Sequence, residues 1–94
     1  MNNVAKINTA KVEATHRGFE PKNILLSKKA HQMIIREISG GDLDVTLATL
    51  CGLDVCVTDA IPDTYGILRY CRSPNAYGFP AWWLEPVGVV EFDL

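Results

Sequence analysis

Long apolar runs are missing from this chain of 94 residues. The longest are three or four residues, as in Met33-Ile34-Ile35, against the roughly 20 that a membrane-spanning helix needs. No membrane partner is therefore expected. The opening Met-Asn-Asn-Val-Ala-Lys also lacks the basic start and apolar stretch of a secretory signal, so the expectation is a soluble, cytoplasmic protein. Cysteine is scarce and odd in number: Cys51, Cys56 and Cys71. Free thiols in a reducing compartment account for them more simply than disulfides. The spacing of Cys51 and Cys56 suits no common zinc knuckle, and His16 and His31 fall at no ligand spacing from them. Asp42, Asp44, Asp54, Asp59 and Asp63 do not follow the order of a calcium loop.

Catalytic signatures are absent in the same way. There is no Gly-x-Gly-x-x-Gly, no phosphate-binding loop ending in Gly-Lys-Ser/Thr, and no visible nucleophile–base pair. His31 sits beside the apolar stripe of a helix, where a partly buried or surface histidine is a simpler reading than a general base. A non-enzymatic protein without metal or cofactor is the expectation.

What is present is a folded domain. A hydrophobic fraction of 48% and a charged fraction of 21% are ordinary globular values, and the length suits one domain spanning 1–94. Net charge is only −2 but is unevenly spread. Residues 1–36 carry seven cations against Glu13 and Glu20, a net +5, and residues 37–94 carry Arg69 and Arg72 against nine acids, a net −7. Such asymmetry suits a basic arm or an acidic docking surface, unless the halves interleave in space.

Residues 1–20 form a weakly patterned basic arm ending at Gly18. Val4, Ile7 and Ala14 fit a helix face, whereas Lys11–Thr15 alternates like a strand. Asn23–Leu26 reads as a short buried strand. Ser27 caps a helix over about 28–39 that Gly40-Gly41 ends, with Ala30, Met33, Ile34 and Ile38 on one stripe. Residues 43–50 read as a short helix or as the first strand of a hairpin through Cys51-Gly52, the helix being preferred. Leu53–Thr58 alternates as a half-buried strand, and Ile67–Cys71 returns antiparallel to it after a Pro62–Gly66 turn. Ala81–Leu84 and Val87–Phe92 are strands kinked at Pro86 and Gly88, which places them at an edge or in a bulged strand. The fold class is α+β, the helix at 28–39 packing on a small, mainly antiparallel sheet.

Two surfaces stand out. Seven aromatic residues crowd into 65–92, and Trp82 and Trp83 are adjacent. In an extended segment adjacent side chains face opposite ways, so one indole looks outward, where tryptophan favours a docking partner. Tyr77, Phe79, Trp82 and Trp83 are accordingly the candidate partner-binding residues, the partner being a protein, either a host protein or a copy of the chain in a homo-oligomer. The second surface is Ser27, Lys28 and Lys29, where two cations and free helix amides could cradle a phosphate, nucleotide or carboxylate. Nucleic acid held by the basic arm is a weaker alternative, since the domain is acidic overall and shows no helix-turn-helix.

Asn23-Ile24-Leu25-Leu26-Ser27, the helix after it, and Leu50–Asp59 ahead of Ile61-Pro62-Asp63 resemble small proteins of tailed bacteriophages and segments of their capsid proteins. The resemblance covers residues 21–70, and the chain is much too short for a complete capsid subunit. It implies an accessory protein that acts by contact, in the virion or against a host defence system, and it carries over no catalytic residues.

Overall fold

The computed structural model describes residues 2–39, 49–71 and 84–93. The elements are α1 (Asn3–His16), β1 (Pro21–Leu26), α2 (Lys28–Ser39), β2 (Thr49–Leu50), β3 (Leu53–Val57), β4 (Tyr65–Cys71) and β5 (Leu84–Glu91). The strands form one sheet in the order β2-β3-β1-β4-β5. Only β1 and β3 pair in parallel; β2–β3, β1–β4 and β4–β5 are antiparallel. The architecture is α+β. Parallel pairing of β1 with β3 needs a long crossover, and α2 supplies it.

Helix α2 has the bounds that its sequence predicts. The Ser27 hydroxyl accepts the Ala30 N–H at 3.0 Å, satisfying one of the orphan amides of the first turn. Ala30, Ile34 and Ile35 are buried, while Ile38 is 48% exposed. Ile35 widens the buried face beyond the expected stripe, while Ile38, in the last turn, stays outside the core. Helix α1 packs on the Met33–Glu37 side of α2. Asn3 donates its side-chain amide to Met33 Sδ at 3.3 Å and its backbone N–H to Glu37 Oε1 at 3.0 Å.

The N-terminal segment is helical over Asn3–His16, with Ile7 and Ala14 fully buried, and the strand-like alternation at Lys11–Thr15 is not used. The Asn2 side chain caps it by accepting the Ala5 N–H at 2.7 Å. At the other end Gly18 takes φ +90°, and Phe19 N–H reaches back to the Ala14 carbonyl at 3.0 Å. A left-handed residue followed by that long backbone bond is the usual glycine stop.

The β2–β3 connection settles part of the ambiguous stretch. Cys51 and Gly52 have φ of +54° and +77°, and Leu50 pairs with Leu53. Two consecutive positive φ values make a two-residue hairpin turn matched to strand twist. Thr49–Leu50 is therefore strand and not the end of a helix, while the remainder of the expected 43–50 helix lies outside the described residues. β4 does run opposite to β3, but β1 lies between them. The loop after β3 is anchored to β1, Thr58 N–H donating to the Leu26 carbonyl at 2.9 Å, and so carries the chain past β1 to its far side.

Ile7, Ala14, Ala30 and Ile34 from the helices join Ile24, Leu26, Leu53, Leu68, Val90 and Phe92 in one core. Both helices therefore cover the same face of the sheet. Among the described strands β5 stands at the edge, and it is bulged: Leu68 pairs with Gly88 but Arg69 with Pro86, which leaves Val87 as the extra residue. The bulge turns Val87 inward as well as Val90, and both are buried.

Candidate functional site

The aromatic residues expected to bind a partner, Tyr77, Phe79, Trp82 and Trp83, lie outside the described residues. The strand that follows them, β5, is described, and it is the last of the described strands in the sheet order. Its hydrogen-bonding direction follows from one contact. Phe92 N–H donates to the Thr64 carbonyl at 2.7 Å, and the β4–β5 register places these two residues opposite each other. Antiparallel ladders alternate between bonded and non-bonded pairs. Val90 and Gly88 therefore turn their amides to β4, and Val89 and Glu91 turn theirs to the outer side, where no described strand pairs with them.

Side chains of directly opposed residues share a face of the sheet. Ile24, Leu26, Leu68 and Val90 face the helices. Their sequence neighbours must then face the other way. Cys56 pairs with Leu25, Leu25 with Ile67, and Ile67 with Val89. These four form one apolar row in register across β3, β1, β4 and β5, on the face that neither helix covers. Cys56, Leu25 and Ile67 are half-buried, and Val89 is 63% exposed. On one side of the row lie Asp54, Asn23 and Arg69, with Arg69 Nε donating to Asn23 Oδ1 at 2.8 Å. On the other, Tyr65, 39% exposed, stands opposite Glu91.

This row escapes a strand-by-strand reading of the sequence. Asn23–Leu26 reads as a strand apolar on both faces, which signals Leu25, but the alignment of Leu25 with Ile67 and Val89 needs the register. Prediction of an edge or bulge at Pro86 and Gly88, by contrast, agrees with the position of β5. On its helix side β5 borders a groove of about 190 Å³ lined by Lys6, Thr9, Ala10 and Glu13 of α1 and by Val89, Val90 and Glu91.

The anion-binding set is only partly assembled. Ser27 is buried and its hydroxyl is committed to the Ala30 amide. Lys28 and Lys29 are exposed. Lys29, without Lys28, lines a cavity of about 670 Å³ with Gln32, Met33, Arg36 and Asp93. Asp93 brings a carboxylate into that cavity, and Lys6 pairs with it at 2.8 Å. The hydrogen bond and positive charge of Lys6 hold the Asp93 carboxyl below its ordinary value.

The basic N-terminal segment is spent on the fold. Lys6 holds Asp93, Lys11 Nζ donates to the Cys51 carbonyl, and Arg17 Nη2 donates to the Val87 carbonyl at 2.6 Å. These contacts fasten α1 to the β2–β3 turn and to the bulge of β5. His31 is half-buried with its Nε2 enclosed and without a hydrogen-bond partner, consistent with a packed histidine. Cys51 and Cys56 are free thiols. Among the described residues no three His, Cys, Asp or Glu side chains gather as a metal would require, and no helix is long and apolar enough to cross a membrane.

Comparison with protein-family models, with curated proteins and with solved structures finds no match to this chain.

Proposed function

We propose that this protein acts by contact with another protein chain, self-association included, and that the contact surface is the outer side of β5 with the apolar row behind it. The observation that carries the reading is the row Cys56–Leu25–Ile67–Val89, which runs in register to an edge whose Val89 and Glu91 amides face outward. An open edge with exposed apolar side chains is what strand addition uses: backbone bonds supply affinity and alternate side chains supply specificity. The resemblance of residues 21–70 to small tailed-phage proteins supports a setting in a virion or against a host defence protein. Tyr77, Phe79, Trp82 and Trp83 precede β5 in the sequence and remain candidates for the same partner on sequence grounds.

Intact protein and Val89→Asp, used as paired baits in extract of the native cell, test the reading. At least one chain, copies of the bait included, is expected on the intact bait and lost from Val89→Asp. If no retained chain distinguishes the two baits, β5 is not the contact surface.

A second reading, an anionic small molecule, is favoured by the cavity beside Lys29, Gln32 and Arg36, whose volume of about 670 Å³ suits a ligand. Inorganic phosphate and nucleotides should then raise the melting temperature, and Lys29→Glu with Arg36→Glu should abolish the rise. No rise in the intact protein removes this reading.

A further inference from the structure

Resting on the contact reading, we propose that the partner at β5 is a second copy of the chain, its β5 joined antiparallel to the first about a two-fold axis at Val89. Two observations select a copy and this register.

The first is the polarity of the edge. Val89 presents both its N–H and its C=O outward, as the β4–β5 alternation requires. In an antiparallel pair a residue on a two-fold axis can exchange two hydrogen bonds with its own symmetry mate. The edge is therefore self-complementary without any change of backbone.

The second is the side-chain sequence along the edge. An axis at Glu91 would set two carboxylates face to face, which is unfavourable. An axis at Val90 would set each Val89 against the partner's Glu91 and interrupt the apolar row. An axis at Val89 sets valine on valine, and the rows of both copies join into one stripe across a continuous sheet of two five-stranded halves. The stripe then covers the Val89 side chain that stands 63% exposed in the single chain. Pro86 and the bulge at Val87 end the pairing on one side.

Of the opposite edge strand, β2, the described residues are Thr49–Leu50 alone, so the self-pairing argument is made on β5.

Light scattering and circular dichroism on the intact chain, Val89→Pro, Val89→Asp and Val89→Lys test the proposal. The Val89 N–H faces away from β4, so proline there removes an intermolecular bond and leaves the β4–β5 ladder in place. The intact chain is expected at twice its mass of 10.4 kDa. Each folded variant is expected at single mass, with pairing weakened by at least about tenfold. An equimolar mixture of Val89→Asp and Val89→Lys should return to double mass, because only an axis at residue 89 brings the two changed side chains together. An intact chain at single mass at every concentration overturns the second copy. If the paired baits still differ in that case, a foreign partner at β5 survives and only this inference falls. A dimer indifferent to all three variants, or a mixture that stays at single mass, overturns the register.

Discussion

At Gly66 the absence of a Cβ leaves room for the ring of Phe92. A Cβ built there would lie 2.8 Å from Phe92 Cζ and 3.2 Å from Leu26 Cδ2, closer than packed atoms tolerate. Gly66→Ala should therefore lower unfolding free energy by about 1–3 kcal/mol, the usual range for overpacking, as read by urea denaturation. Gly52 is constrained differently, by its φ of +77°, and Gly52→Ala should be less stable by about 1 kcal/mol. Asp93 carries a pH dependence. Lys6 holds its carboxyl below the ordinary value, so the folded chain binds that proton more weakly than the unfolded chain. The contribution is complete above the ordinary carboxylate range and is lost as pH falls through the lowered value. With the Asp93 side chain 84% exposed, salt should screen the effect. The melting temperature of the intact protein should exceed that of Asp93→Asn at neutral pH in low salt, and the gap should close on acidification. A gap independent of pH would remove the ion pair from the stability of the fold. The turn glycine and the Ser27 cap are visible in the sequence as residue types; the Lys6–Asp93 pair is not, because 87 positions separate its members.

Among the elements, α2 and α1 show when a helix can be read from sequence. α2 has a capping serine, a strong apolar stripe and glycines after its end, and its predicted bounds match Lys28–Ser39. α1 buries few residues, with Ile7 and Ala14 as its buried apolar contacts, and long side chains reach from it to backbone carbonyls at Cys51 and Val87. Such contacts leave no periodic trace. Ile7→Ala should cost about 2–5 kcal/mol, as a large-to-small change at a fully buried site does. Ser27→Ala should cost about 1 kcal/mol for the lost cap, measured by the same urea titration. Near-equal effects would mean that α1 is peripheral to the core. The Thr49–Leu50 strand was hidden for another reason: β-branched and leucine residues fit either structure there, and only the paired positive φ values at Cys51 and Gly52 decide for a hairpin.

For the whole molecule, the basic and acidic halves of the sequence meet at the Lys6–Asp93 ion pair, while Lys28, Lys29 and Arg36 stay exposed. N-terminal cations meet C-terminal acceptors at Asp93, Val87 and Cys51. The proposed contact surface is half legible: proline and glycine in the last strand point to an edge or a bulge, but the row behind it depends on three registers that no single strand encodes. Pairing through β5 makes a demand on two particular amides. In solution, residue-resolved hydrogen exchange at concentrations above and below dimer dissociation reads them directly. The Val89 amide should exchange slowly in the concentrated sample and accelerate on dilution, while the Val90 amide, bonded to β4, should stay slow in both. Val89 exchange as fast as that of an open loop at every concentration, with Val90 protected, would contradict β5 as the joining strand.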